Sequence, residues 1–286
     1  MTNIRNYLTI FLLTTFCLHA QAQTKQAVIT PDKVVIYKKT EQSDLKLEIF
    51  NPESKKMGDK NPVIVFFFGG GWVGGTTKQF HQHAVSFAKQ GYVAITADYR
   101  TKMSPFTCVK DGKSAIRWIR AHAKELRVDP NLIIAAGGSA GGHVATCTAV
   151  IDGHEEGANL AVSSKPNGLI LYNPVIDTTE KGYGLKKVGE KRKTEISPCH
   201  HVRKGIVPTL IFHGTADSTV PFENVEHFTK LMKLAGNNCT LIPFEKEKHG
   251  FFNGSYFRAT NDDAIFMITM KESLKFLKVL KSQKSE

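Results

Sequence analysis

Residues 137–141 read Gly-Gly-Ser-Ala-Gly, a G-x-S-x-G run that follows the apolar segment 132–136 and opens a helical stretch. A serine on so sharp a strand-to-helix turn presents its hydroxyl, and only residues without side chains pack closely on either side. A hydroxyl becomes a useful nucleophile when a base takes its proton, and the base needs an acid to orient it. Asp217 stands in the loop after the apolar run 209–213, and His249 follows the run 240–244. The separations, 78 residues from Ser139 to Asp217 and 32 from Asp217 to His249, leave room for the intervening elements. Glu223 is a competing acid but lies far past the strand end. His213 falls inside a strand and His143 one helical turn past Ser139, so both read as structural. The last requirement is a pair of donors for a developing oxyanion. The run Phe68-Gly69-Gly70-Gly71-Trp72, with Gly74-Gly75 beyond it, lets backbone N–H groups turn inward, and Gly70, Gly71 and Ala140 are the expected donors. A phosphate cradle is the other use of such a loop, but the Lys-Ser/Thr of a P-loop and the GxGxxG spacing are both missing. The chemistry these residues suit is acyl transfer, which needs no metal or organic cofactor.

Residues so far apart must be brought together by a sheet. Segments 63–68, 92–96, 132–136, 168–172, 209–213 and 240–244 are short, β-rich and nearly continuously apolar, as strands buried on both faces of a parallel sheet are. Between them lie helical patterns at 80–89, 109–126, 225–234 and 264–280. Segments 33–38 and 45–50 read as an antiparallel pair at the N-terminal edge. Alternation of this kind predicts an α/β fold with helices on both faces of a mostly parallel sheet. No internal repeat or linker-like tract appears, so residues 23–286 are expected to form one catalytic domain.

The chain resembles the α/β-hydrolases of the esterase/lipase group, which includes hormone-sensitive-lipase-like, acetyl-esterase and acetylxylan-esterase enzymes. The resemblance lies in residues 68–72, 97–100, 111–120, 129–130, 137–143, 197–198, 213–217 and 249–251, in the family's order. It implies Ser139 as nucleophile, Asp217 and His249 as its partners, and Gly70, Gly71 and Ala140 as oxyanion donors. The family usually has histidine where this chain has Phe68. Because the donors are backbone groups, the hole is expected to survive with altered loop packing.

Other features narrow the function. Of 286 residues, 41% are hydrophobic and 22% charged, which excludes disordered and collagen-like chains. The formal charge of +12 is spread along the chain, and neither of the densest basic stretches, 186–193 and 275–284, interleaves aromatics in a way that would stack bases. Nucleic acid is therefore not an expected partner. Residues 1–22 read as a secretory signal, with Arg5, an apolar run at 8–18, and Ala20-Gln21-Ala22 before the cleavage point. That run is too short to span about 30 Å of hydrocarbon, so no membrane association is expected after cleavage and the product is secreted or periplasmic. Export permits disulfides among Cys108, Cys147, Cys199 and Cys239, with Cys147 read as a buried thiol. The pairs His81/His83 and His200/His201 lack a third ligand and read as surface or helix-flank histidines.

The stretch before Lys33 is too short for a large cap domain, and 178–200 is a polar insertion without an apolar stripe. An open polar site suits a short acyl group on a large hydrophilic alcohol. Together with the resemblance, this points to removal of acetyl groups from an acetylated polysaccharide or oligosaccharide such as xylan, with Trp72 and Tyr183 as candidates to stack on sugar rings. A feruloyl or general small-ester carboxylesterase is the alternative. A serine peptidase or a non-catalytic module of the same fold stands behind it.

Overall fold

The computed structural model describes residues 27–53, 56–157 and 159–283, so the expected signal at 1–22 lies outside the described residues. Eight strands form one sheet: β1 (Lys33–Lys39), β2 (Asp44–Phe50), β3 (Asn61–Phe67), β4 (Val93–Ala97), β5 (Val128–Gly138), β6 (Gly168–Tyr172), β7 (Thr209–Gly214) and β8 (Cys239–Phe244). Their spatial order is β1-β2-β4-β3-β5-β6-β7-β8. The β1/β2 and β2/β4 pairs are antiparallel, and every other pair is parallel. Phe67 of β3 sits opposite Gly137 of β5, Gly138 opposite Tyr172 of β6, and Tyr172 opposite Phe212 of β7. These strands therefore end nearly level, and their carboxyl ends make the edge where an open α/β sheet places its ligands.

Alternation along the strands divides the core in two. Val63, Val65, Phe67, Ile133, Ala135, Leu169, Leu171 and Ile211 point to one side. There they meet α2 (Pro105–Ala121), α3 (Ala140–Val150) and α5 (Phe222–Leu234). Ile64, Phe66, Ile134, Ala136, Ile170, Tyr172, Leu210 and Phe212 point to the other, against α1 (His81–Lys89) and α6 (Ala264–Ser282). Each fully buried aliphatic or phenyl side chain contributes about 1.5–3 kcal/mol by leaving water.

Element ends differ from expectation for local reasons. Helix α2 begins at Pro105, ahead of residue 109, because the Ser104 hydroxyl accepts from the Phe106 N–H and proline suits the first helical position. It stops at Ala121 rather than 126, and a turn through Arg127 (φ 54°) leads into β5. Strand β8 is not buried on both faces: it pairs only with β7, and Thr240 and Pro243 are exposed. The insertion at 178–200 contains α4 (Leu185–Val188) and buries Val188, Ile196 and Cys199, so it is partly core.

Cys108, Cys147, Cys199 and Cys239 are all free and buried, so none of the disulfides that export would permit is formed among them. Burial pushes the Cys108 thiol up to about 12 and Cys239 to about 11. Among the described residues no group of His, Cys, Asp and Glu could hold a metal ion, and no helix is long and apolar enough to cross a membrane.

His81 and His83 are buried, contrary to the surface reading. His81 pairs with Glu48 at 2.7 Å. His83 lies among Phe66, Phe80, Tyr172, Phe252 and Phe266 with neither ring nitrogen partnered among the described residues. Burial lowers its pKa to about 3, so the folded protein keeps the ring neutral. Below an unfolded value near 6.5 the unfolded chain takes up a proton that the folded chain refuses. Stability at this site is thus present above about pH 6.5 and is lost as pH falls toward 3. His83→Leu is expected to stabilise the fold by about 1–2 kcal/mol at pH 7, since it removes two unsatisfied polar atoms. It should also flatten the acid side of a melting-temperature profile taken from pH 7 to about 4.5. An unchanged acid slope would locate the acid sensitivity elsewhere.

Candidate active site

The turn between β5 and α3 holds Ser139 at φ 54°, ψ −121°, a conformation that residues with a Cβ rarely adopt. Three bonds fasten it: the Ser139 N–H donates to the Tyr172 carbonyl at 3.0 Å, and the Ser139 carbonyl accepts from the N–H groups of His143 at 3.0 Å and Val175 at 3.2 Å. The hydroxyl is thereby lifted off the sheet edge, above the first turn of α3.

His249 is brought to it by the loop after β8. Its Nε2 lies 2.9 Å from Ser139 Oγ, and its Nδ1 lies 2.7 Å from Asp217 Oδ2. Since the carboxylate only accepts, Nδ1–H must donate to it, which leaves Nε2 to accept from the serine hydroxyl. Asp217 is itself clamped at the end of β7. Its Oδ1 accepts from the N–H groups of Thr219 at 2.8 Å and Val220 at 2.9 Å. The acid and histidine loops are laced together, because the Ala216 N–H donates to the Glu247 carbonyl at 3.0 Å.

His213 is more than a structural residue of β7. Its buried Nε2–H is shared between the Val220 carbonyl at 3.0 Å and Asp217 Oδ2 at 3.3 Å. Burial alone would raise the Asp217 carboxyl. Hydrogen bonds from His213, His249 and the Val220 N–H override it and hold the group well below the usual carboxylate range. His143 does read correctly as structural, with Nε2 donating to the Ile196 carbonyl at 2.7 Å. Glu223 is exposed on the first turn of α5.

The glycine loop after β3 faces Ser139. Gly69 donates its N–H to Gln79 Oε1 at 2.6 Å, so that group is taken. The N–H groups of Gly70 and Gly71 have no backbone or side-chain acceptor among the described residues, and both residues line the cavity that holds Ser139. Ala140 is the first residue of α3, where helix geometry leaves the N–H free. Gly70 has φ 129°, and a Cβ there would strike the Gly74 carbonyl. Gly70→Ala is accordingly expected to lower kcat for ester hydrolysis by roughly 10²–10³ by displacing the loop, and also to lower the melting temperature by several degrees, because the added Cβ meets backbone at a strained φ. A fall of less than about threefold would remove this loop from the reaction.

Phe68 packs where the family's histidine would stand. Its ring stacks on Tyr99 with centroids 4.3 Å apart, and its carbonyl accepts from the Tyr99 hydroxyl at 2.6 Å. On the far side of the loop the 178–200 insertion supplies Lys187, whose ammonium donates to the Gly71 carbonyl at 2.8 Å. Trp72 is fully buried beneath the loop, edge-on to His143. It cannot stack on a sugar, which corrects the expectation for it. Tyr183 does reach the cavity.

That cavity has a volume of about 340 Å³. Phe252, Phe257, Asn173, Asn253 and Arg258 complete its wall. None of these was singled out in the sequence. Asn173 sits just past β6, and its Oδ1 accepts from the Gly250 N–H at 2.9 Å, fixing the turn that carries His249. Gln79 joins the glycine loop to Asn253, donating to its Oδ1 at 3.1 Å. The one clue to Asn173 was its place at a strand's carboxyl end.

A serine elbow at the carboxyl edge of this sheet, with a histidine and a clamped acid on the next loops, defines an α/β-hydrolase, and the chain belongs to the esterase/lipase group of that fold. The BD-FAE family pattern matches residues 47–181. Carboxylesterase NlhH of Mycobacterium tuberculosis is 32% identical, covering 74% of this chain and 72% of that one. Thermogutta terrifontis esterase 2 in its apo form is 43% identical with a TM-score of 0.82, covering 89% of this chain and 96% of that one. An acetylxylan esterase of Xylanibacter ruminicola is 27% identical over 68% of this chain and 42% of its own length. The chain spans about half the length of several other curated relatives it matches.

Proposed function

We propose that this protein is a serine esterase that removes short acyl groups, acetyl first, from a hydrophilic alcohol, with acetylated xylan or its oligosaccharides as the substrate class. The observation that carries the reading is the unbroken chain of contacts from Asp217 Oδ2 through His249 to Ser139 Oγ, 2.7 and 2.9 Å long. It opens into a small cavity beside unpartnered glycine N–H groups. His249 takes the Ser139 proton as Oγ attacks the ester carbonyl, and the N–H groups of Gly70, Gly71 and Ala140 receive the oxyanion. When the tetrahedral centre collapses, the bond to the alcohol oxygen breaks and His249 returns the proton to that oxygen. Water then repeats both steps on the acyl-enzyme, releasing the acid and restoring the serine. Asp217 keeps Nδ1–H in place and stabilises the imidazolium.

A short acyl group is favoured by the cavity, whose volume lies at the low end for ligand sites. Solved structures of Thermogutta terrifontis esterase 2 with propionate and with butyrate bound are in keeping with that. The acetylxylan esterase relative supports the saccharide, and the signal read at residues 1–22 would take the enzyme out of the cytoplasm to meet it. The test is acetate release from acetylated xylan by residues 23–286, beside methyl ferulate. Acetate release is expected. Ferulate cleavage without acetate would transfer the assignment to a feruloyl esterase, and turnover of neither would overturn the xylan reading.

A further inference from the structure

Among the described residues, the wall of the Ser139 cavity contains no aspartate or glutamate, and Arg258 is its one lysine or arginine. Arg258 differs from the other arginines among the described residues. Arg100, Arg117, Arg127, Arg192 and Arg203 each pair with a carboxylate, and Arg120 donates to three carbonyls. Arg258 makes one long side-chain bond, from Nη1 to the His249 carbonyl at 3.4 Å. Its backbone is nonetheless fixed, with its N–H donating to Gly254 at 3.0 Å and its carbonyl accepting from Asn261 at 2.9 Å. The guanidinium lies flat on the His249–Gly250 turn. Gly250 makes that approach possible, since a Cβ there would stand 2.6 Å from Nη2. Glu247 and Asp262 line the adjoining depression on that flank, yet neither forms an ion pair with Arg258. The result is a held cation with most of its five N–H donors unused, at the mouth of a cavity without opposing charge.

Its side of the cavity matters. The oxyanion belongs to the glycine loop, and the departing alcohol must lie against His249, which protonates it. Arg258 packs its guanidinium against the turn that carries His249, which sets it toward the alcohol part of the ester rather than the acyl part. A guanidinium so placed accepts a carboxylate through two parallel hydrogen bonds. Resting on the esterase reading above, we infer that Arg258 is a specificity-determining residue selecting esters whose alcohol carries a carboxylate. In the saccharide class this means an acetylated sugar chain bearing a uronic acid.

The experiment compares kcat/KM for 3- and 4-acetoxybenzoate with that for the neutral acetoxybenzamides, in the unaltered protein, Arg258→Gln and Arg258→Lys. The ratio of charged to neutral substrate is expected to fall about fivefold in Arg258→Gln, as suits an exposed, screened cation. Arg258→Lys should restore part of it, and added salt should erode it in the unaltered protein. An equal fall on both substrates in Arg258→Gln would overturn the inference, because it would mean that Arg258 only holds the histidine turn. Selection of monophenyl succinate over phenyl butyrate, with no selection among the acetates, would also overturn it by moving the charge to the acyl side. Those results leave the esterase reading standing. Only failure of the unaltered protein to cleave any of the aryl acetates would sink that reading, and this inference with it.

Discussion

Ser139→Ala is expected to lower kcat for ester hydrolysis by roughly ten-thousand-fold or more while the melting temperature stays within a few degrees. The rate effect is large because, among the described residues, the hydroxyl hydrogen-bonded to His249 Nε2 is that of Ser139, at 2.9 Å. The stability effect is small because one hydroxyl hydrogen bond is lost from a half-open site, a change of about 0.5–1.5 kcal/mol. Ser139→Gly should be equally inactive but more stable than Ser139→Ala by about 1 kcal/mol or more. Glycine relieves the strain that a Cβ carries at φ 54°, ψ −121°, whereas alanine retains it. Initial rates on a soluble aryl acetate and thermal melts of the three proteins check both statements. A Ser139→Ala protein that kept a tenth of the activity would show that the nucleophile lies elsewhere.

That Ser139, Asp217 and His249 would come together was legible in the sequence because each follows an apolar strand, and a parallel sheet brings strand ends to one edge whatever the intervening lengths. The residues that support them were not. Gln79 and Asn253 are 174 positions apart, and Asn173 and Gly250 are 77 apart. All are ordinary residue types in loops, and only tertiary folding pairs them. Trp72 was misjudged for a different reason. Its positive φ turns the indole inward beneath the loop, and residue type alone does not reveal a backbone angle. Strand β8 has the same apolar composition as its neighbours, but composition does not say which strand ends the sheet. His83 departs from the surface reading because Phe66 and Tyr172 of two strands, Phe252 of a loop and Phe266 of α6 enclose it together with Phe80, and of these only Phe80 is near it in sequence.

Asp217→Asn should cost nearly as much rate as loss of the serine, about ten-thousand-fold in kcat, with the fold intact. The side-chain carbonyl of asparagine can still accept from the Thr219 and Val220 N–H groups, now 2.8 and 2.9 Å from Oδ1, so the turn after β7 survives. The amide nitrogen, however, then faces His249 Nδ1. It donates where the carboxylate accepted, which drives the proton to Nε2 and removes the lone pair that Ser139 needs. The electrostatic part of the loss has a pH signature. Asp217 is held well below the usual carboxylate range, so its ion contributes stability above an unfolded value near 3.9 and loses it as pH falls further. Between about pH 5 and 9 the carboxylate keeps its charge, and neither limb of the pH–rate profile should belong to it. The variant is therefore expected to show a uniformly low profile over that range, and a melting curve less sensitive than the parent's to acid below pH 4. Kinetics from pH 5 to 9 and melts down to pH 3 separate these effects. If Asp217→Asn retained most of the activity, His213 and the Val220 turn would be the true reasons for the buried carboxylate, and the histidine would need another orienting group.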